Sequence, residues 1–285
     1  MNEYRIKAHA KINLALDVIR RRPDGYHDVK MIMQTIGLCD ELTLEKTAEG
    51  ILVTTDSPEL DSMEDNLAYK AARLMFENFA ISGGVHIHLH KRIPIAAGMA
   101  GGSTDAAAVM KGINRLYDLE IPLSRLMELG VAIGADVPYC ILGGTALAEG
   151  IGEKLTPLNP APDFYLVAAK PEISVSTKFI YEKLDVGSIL RHPDVDGMVR
   201  AIESGSLQGV LDRMGNVLES AAIPAYPVID SLKRRMRELN AINSLMSGSG
   251  PTVFGIFLTE QAAEFACDHL RNEGLAKEVF LTAPI

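Results

Sequence analysis

The chain has 285 residues, 47% hydrophobic and 23% charged, which is the make-up of a folded protein and excludes a disordered or collagen-like polymer. With Lys+Arg at 28 against Asp+Glu at 37 the net charge is -9, so nonspecific nucleic-acid binding is disfavoured while binding of a small phosphorylated ligand is not. The length favours two domains over one core. Cys39, Cys140 and Cys267 are odd in number, far apart and without a C-x-x-C pair, which reads as reduced thiols and argues against a disulfide framework or zinc knuckle. No apolar run reaches the ~18 residues of a membrane span. The first residues, with Glu3 and no apolar core before a cleavage site, do not read as a secretory signal, and a cytoplasmic location is expected.

Near the N-terminus Ile6, Ala8, Ala10, Ile12, Leu14, Leu16 and Val18 share one parity, and Arg5, Lys7, His9, Lys11 and Asn13 the other. Period two predicts a strand with one buried and one polar face. After the loop RRRPDGYHDVK come two separate strand-like runs, MIMQTIGL and ELTLEKT, and then ILVTTD. Asp65 or Asn66 is placed to cap a helix through about Phe79, with Ser82-Gly83-Gly84 ending it. A strand, VHIHLHKRIP, leads into a Gly-rich loop and helix, IAAGMAGGSTDAAAVMKGINRLY. A further helix spans about Ser124 to Ile133, and GADVPYCILGGTALAEGIGEKL reads as turn and strand. The three prolines of TPLNPAPD mark the expected boundary between a domain of residues 1–158 and one of residues 159–285. Beyond it lie a strand (FYLVAAKP), helical segments including YPVIDSLKRRMRELN, a strand, turn and strand (INSLMSGSGPTVFGIF), a helix (EQAAEFACDHLRNEG) and a last strand (KEVFLT), an α+β pattern in each half.

The strongest chemical signal is Pro94 to Thr104. Gly98, Gly101 and Gly102 allow positive φ and close backbone approach to an anion, while Ser103 and Thr104 add hydroxyls at a helix N-terminus, where free N–H groups favour phosphate. No Lys follows the last glycine, so this is not a Walker A loop, and the spacing is not that of a Rossmann fingerprint. The plain alternative is a surface loop before a helix packed through Ala106, Ala107 and Ala108. Asp136, in GADVPYC, could accept a hydroxyl proton or simply shape an Asx turn. Lys11 could neutralise phosphate charge or be a solvated strand lysine. His86, His88 and His90 fall on one strand face and could bind a metal, or lie at the surface over buried Val85, Ile87 and Leu89. Tyr26-His27 could stack on or hydrogen-bond to a flat base, or belong to a Pro-Asp-Gly-Tyr turn that is purely structural, and SGSGPTVFG could close over phosphates or be a hairpin.

Taken in order, AHAKINLALDV, PIAAGMAGGSTDAAA and LMSGSGPTVFG resemble the GHMP kinases, the superfamily of galactokinase, homoserine kinase and the mevalonate pathway kinases. KINLALDVIRRRPDGYHDV and GADVPYCILGGTALAEGIGEKL narrow the likeness to one branch, and it is weakest between about Asp185 and Pro224. The resemblance implies a ribosomal S5 domain 2-like N-terminal domain and a ferredoxin-like α/β C-terminal domain, with the active site in the cleft between them. It implies transfer of the ATP γ-phosphoryl group to an alcohol, in this branch the 2-hydroxyl of CDP-methylerythritol. Asp136 matches the catalytic aspartate and Lys11 the catalytic lysine that would keep it ionised. Pro94, Ile95, Ala96, Ala97, Gly98, Met99, Ala100, Gly101, Gly102, Ser103 and Thr104 match the ATP phosphate loop, and Gly248, Ser249 and Gly250 the third motif. Asn13, Tyr26 and His27 match positions that hold the cytidine diphosphate, and Tyr181 a second aromatic against the cytosine. Mg2+ is expected to arrive with ATP, with Ser103 or Thr104 as the nearest protein hydroxyls and no dedicated metal site. Neither nucleic acid nor membrane is an expected partner, and the chain is expected to be a monomer or weak homodimer. The alternatives are another small-molecule GHMP kinase, of homoserine or mevalonate type, or a catalytically silent nucleotide-binding regulator on the same fold.

Overall fold

The structure, a computed structural model, describes residues 1–58 and 65–285. The chain forms two compact units, the first made of residues 1–10, 38–95 and 100–143 and the second of residues 11–37, 96–99 and 144–285. Two long strands, β1 (Glu3–Arg21) and β2 (His27–Thr47), contribute residues to both. The Pro-rich run at residues 156–163, expected to separate domains, lies inside the second unit. Hydrogen bonds hold it there: Leu158 N–H donates to the Thr145 carbonyl and Ala161 N–H to Thr145 Oγ1.

In the first unit β3 (Gly50–Thr55), α1 (Leu67–Phe79), β4 (Gly84–His90), α2 (Gly101–Leu116), α3 (Leu123–Gly130) and α4 (Val137–Leu142) follow in chain order. The sheet runs β3-β4-β2-β1, with β4 antiparallel to β2 and parallel to β3. Alternation along β4 buries Val85, Ile87 and Leu89 and turns the three histidines away from the core. The buried face of α2, with Ala106, Ala107, Val109, Met110 and Ile113, packs closely because of Gly112, where an added Cβ would lie 2.8 Å from Leu44 Cδ2. Asn66, the expected cap, accepts from Ala68 N–H at 2.9 Å. The end of α1 comes earlier than the Ser82-Gly83-Gly84 signal: Ala80 turns left-handed at φ 46 and the Ile81 N–H bonds back to the Phe76 carbonyl.

In the second unit come β5 (Thr145–Gly150), β6 (Lys154–Pro157), β7 (Tyr165–Lys170), α5 (Thr177–Lys183), α6 (Val195–Glu203), α7 (Leu207–Leu211), β8 (Gly215–Asn216), α8 (Glu219–Ala225), α9 (Val228–Glu238), β9 (Asn243–Met246), β10 (Val253–Phe257), α10 (Glu260–Glu273) and β11 (Glu278–Thr282). The first part of β2 pairs with β5, and β5 with β6. A separate antiparallel sheet has the order β11-β7-β10-β9. Helices α9 and α10 pack on it, so the α+β class is as the sequence indicates.

Three local readings change. MIMQTIGL and ELTLEKT are one continuous strand, β2, through Gly37, Leu38, Cys39 and Asp40. The segment after Ile133 contains the short helix α4, whose Pro138 suits a first helical turn and whose end is set by Gly143 at φ 74. Finally, β1 shows its polar face only at its start. From Lys11 to Val18 both parities are buried, including Lys11 at 5% exposure and Asn13 at 0%. A row of polar side chains on a strand does not by itself reveal what covers it.

Candidate active site

In the second unit the buried polar residues of β1 meet two tight glycine turns. Lys11 Nζ donates to Asn13 Oδ1 at 2.9 Å, and Asn13 Nδ2 points to Met31 Sδ at 3.2 Å. The Lys11 N–H donates to the Met99 carbonyl, which ties the strand to the centre of the Gly-rich loop. Gly98, at φ 72, is seated on the turn after β9. A Cβ there would lie 2.3 Å from the Ser247 carbonyl oxygen and 2.9 Å from that of Gly250, so only glycine fits. Ser247 Oγ donates to the Gly98 carbonyl at 2.9 Å. A Cβ on Gly248 would be 3.0 Å from the Gly98 carbonyl oxygen and 3.6 Å from Asn13 Oδ1. Lys11, Asn13, Gly98, Met99 and Gly248 thus form one cluster, with Ser249 and Gly250 completing its turn.

Two residues of the loop itself, Ala96 at φ 51 and Ala100 at φ 58, are left-handed without being glycine. Each such residue costs roughly 1–2 kcal/mol, which the surrounding bonds must hold. In the first unit, Ala100 precedes α2 and no side chain caps that helix, so its first turn presents backbone N–H groups as an anion site does. Thr104 Oγ1 is buried and donates to the His9 carbonyl at 2.7 Å, whereas Ser103 is partly exposed. A Cβ on Gly134 would be 3.8 Å from Ser103 Oγ, so the turn that carries Asp136 lies against the first turn of α2. Asp136 precedes α4, is partly exposed, and makes no side-chain cap to that helix.

The aromatic residues are placed unequally. The His27 ring faces Tyr181 at a centroid distance of 5.1 Å and an angle of 37°, while Tyr26 is 60% exposed and outside that pair. Burial, then the charge of Arg21, hold His27 below the usual histidine range, so at neutral pH it is an uncharged ring. The loop that carries it is braced by Arg22, which bonds Asp24 and Asp28, and by the Tyr26 N–H to Asp24 Oδ1 at 3.1 Å. Thr177 at the start of α5 bonds Ser249 through their hydroxyls at 2.8 Å, a link that the sequence reading missed. The three histidines of β4 are engaged elsewhere: His86 and His88 bond Thr54, and His90 bonds Asp56. Among the described residues no group of three or more His, Cys, Asp or Glu is placed to hold a metal ion.

Also missed was a buried ionic cluster just before the loop, in the first unit. Lys91 Nζ donates to Asp40 Oδ2 at 2.5 Å and to Asp105 Oδ2 at 2.6 Å. Burial, opposed by Lys91 and reinforced by Asp40, pushes the Asp105 carboxyl up to about 8. The folded chain therefore keeps a proton that the unfolded chain has shed, a contribution complete below the unfolded carboxylate value near 4 and lost as pH rises through about 8. The neutral Asp105→Asn chain is expected to gain stability relative to the parent as pH rises. Urea midpoints at pH 5.5 and 9 check this, and equal differences at the two pH values would contradict it.

The class of protein follows. Residues 66–144 match the family model "GHMP kinases N terminal domain" and residues 198–276 match "GHMP kinases C terminal". The "4-diphosphocytidyl-2-C-methyl-D-erythritol kinase" of Lachnospira eligens is 54% identical over 99% of this chain and 98% of its own, and that of Lachnoclostridium phytofermentans 52% identical over 97% and 96%. A crystal structure of 4-(cytidine 5'-diphospho)-2C-methyl-D-erythritol kinase superposes with a TM-score of 0.85 at 34% identity, covering 99% of both chains. The chain belongs to the 4-diphosphocytidyl-2-C-methyl-D-erythritol kinase family of GHMP kinases.

Proposed function

We infer that this chain transfers the γ-phosphoryl group of ATP to the 2-hydroxyl of 4-diphosphocytidyl-2-C-methyl-D-erythritol, giving the 2-phosphate in the non-mevalonate route to isoprenoid precursors. The geometry that carries this reading is the seating of Gly98 on the Ser247–Gly250 turn beside the buried Lys11–Asn13 pair. Phosphoryl transfer asks mainly for alignment and for stabilisation of spread negative charge. In this reading the loop from Pro94 to Thr104 and the turn at Gly248, Ser249 and Gly250 hold the ATP phosphates through backbone N–H groups. Lys11 offsets charge on the transferring group, and Asp136 takes the hydroxyl proton as the new P–O bond forms. His27, Tyr181, Tyr26 and Asn13 hold the cytidine diphosphate.

Magnesium fits the hard oxygen donors near the start of α2. The Thr104 hydroxyl is committed to the His9 carbonyl, so the partly exposed Ser103 is the hydroxyl suited to hold the ion, with phosphate oxygens completing its shell. When bound it would neutralise phosphate charge. No described helix is long and apolar enough to cross a membrane. A cytoplasmic monomer or weak homodimer completes the proposal, in keeping with three buried cysteines far apart in sequence.

The His27–Tyr181 ring pair favours a substrate with a flat base over homoserine or mevalonate, which have nothing to stack, and the presence of both Lys11 and Asp136 disfavours a silent regulator. A coupled ADP-release assay with CDP-methylerythritol, homoserine, mevalonate and galactose tests the reading. Turnover with CDP-methylerythritol alone is expected. Preferential turnover of another acceptor would overturn it.

A further inference from the structure

We infer that Asn216 is a positioning residue for the nucleotide, acting through the turn on which Gly98 is seated. The inference rests on the reading that this turn and loop hold the ATP phosphates. Asn216 lies in the two-residue strand β8, parallel to β1 opposite Leu16, and Val217 N–H donates to the Leu16 carbonyl at 3.0 Å. Its backbone is thus fixed to the strand that carries Lys11 and Asn13. The residue is 7% exposed, and its side chain reaches across to the turn after β9. Nδ2 donates to the Met246 carbonyl at 2.8 Å and to the Gly248 carbonyl at 2.7 Å, while Oδ1 accepts from Leu218 N–H at 3.0 Å. Both amide hydrogens are used, and reversing the amide would set oxygen against two carbonyls, so the network itself fixes the orientation.

Glu219, three residues on, holds the same segment from the other side: Oε1 accepts from Met246 N–H at 2.8 Å and Oε2 from Lys233 at 2.5 Å. The turn closes on itself through Ser247 N–H to Thr252 and Gly250 N–H to Ser247, both at 2.9 Å. It then meets the loop through the Ser247 hydroxyl on the Gly98 carbonyl and through the close contact that only glycine permits. A shift in the carbonyls of Met246 and Gly248 is therefore transmitted to Gly98. Asn216 touches backbone at one end of this chain of contacts, and the phosphates lie at the other.

The test uses the full chain, Asn216→Asp and Ser247→Ala. Asn216→Asp keeps size and the Oδ1 acceptor but sets a carboxylate oxygen against two carbonyls. Ser247→Ala removes only the bond to Gly98. For Asn216→Asp, KM for ATP should rise about tenfold or more, and affinity for a non-hydrolysable ATP analogue in equilibrium titration should fall by a similar factor. KM for CDP-methylerythritol should stay within about twofold, a split that general loosening of the fold would not produce. Ser247→Ala should shift the ATP values in the same direction by less, and it carries the test if Asn216→Asp does not fold. A parent chain that binds the analogue while both variants match it, or equal rises in the two KM values, overturns the inference alone. A parent chain that does not bind the analogue overturns the nucleotide reading and this inference with it.

Discussion

Replacing Asp136 with Asn is expected to lower the rate of phosphoryl transfer by about 10²- to 10⁴-fold, the range that a positioned general base contributes. Asn fills the same volume but cannot take a proton at neutral pH. The helix that follows does not depend on the carboxylate: Asp136 makes no side-chain cap to α4, and its contribution there is a backbone carbonyl that accepts from Cys140 N–H at 3.0 Å. The variant should therefore keep α4 intact and bind ATP with nearly unchanged affinity. Single-turnover measurement is the right reading, because slow product release would mask part of the loss in kcat. A variant that keeps more than about a tenth of the single-turnover rate would remove Asp136 from the role of base.

The Gly-rich loop, the first strand and the turn after β9 can be read directly from the sequence, because glycine and alternation are local signals. What holds them together is less visible. Period two along β1 identifies Lys11 and Asn13 as polar, yet the contacts that bring Met99 to the Lys11 backbone and Gly248 to Asn13 come from segments that no local pattern connects to them. Asn216 bonds carbonyls roughly thirty positions away, and a backbone carbonyl has no identity in a sequence. Thr177 was hidden for the same reason, its partner Ser249 lying in the far motif. The helix α4 was lost to its brevity, since six residues give too few turns for an apolar period to register. The aromatic pair shows a different limit: Tyr26 and His27 are adjacent in sequence, and only the packing of α5 decides that the histidine faces Tyr181.

Asp40 and Lys91 look equally ordinary in sequence, one in a strand and one after a strand, yet Lys91→Met is expected to destabilise the chain by about 3–5 kcal/mol. The side chains of Lys91, Asp40 and Asp105 are 7%, 0% and 4% exposed, so solvent screening does not soften the loss. Methionine keeps most of the stem's packing, which isolates the charge. Without the ammonium, the Asp40 carboxylate is left in a dry site with no cation beside it, tied by Oδ1 to the N–H groups of Arg92 and Ile93 at 2.6 and 2.8 Å. Asp105 has no such anchor. Among the described residues its Oδ1 has no partner, and without Lys91 its carboxyl rises above the parent's value of about 8, so the variant keeps a proton that the parent sheds and the deficit should narrow as pH falls below about 8. Asp40→Asn should cost less than Lys91→Met, because the amide oxygen still accepts from both N–H groups and leaves a balanced Lys91–Asp105 pair. Lys91 and Asp105 bound the segment that contains the loop, so the Lys91 variant should also bind ATP more weakly. Urea unfolding at pH 5.5 and 8, with ATP titration at the higher pH, measures both effects. A loss under about 1 kcal/mol at pH 8 would mean that the cluster behaves as a surface ion pair and does not brace the loop.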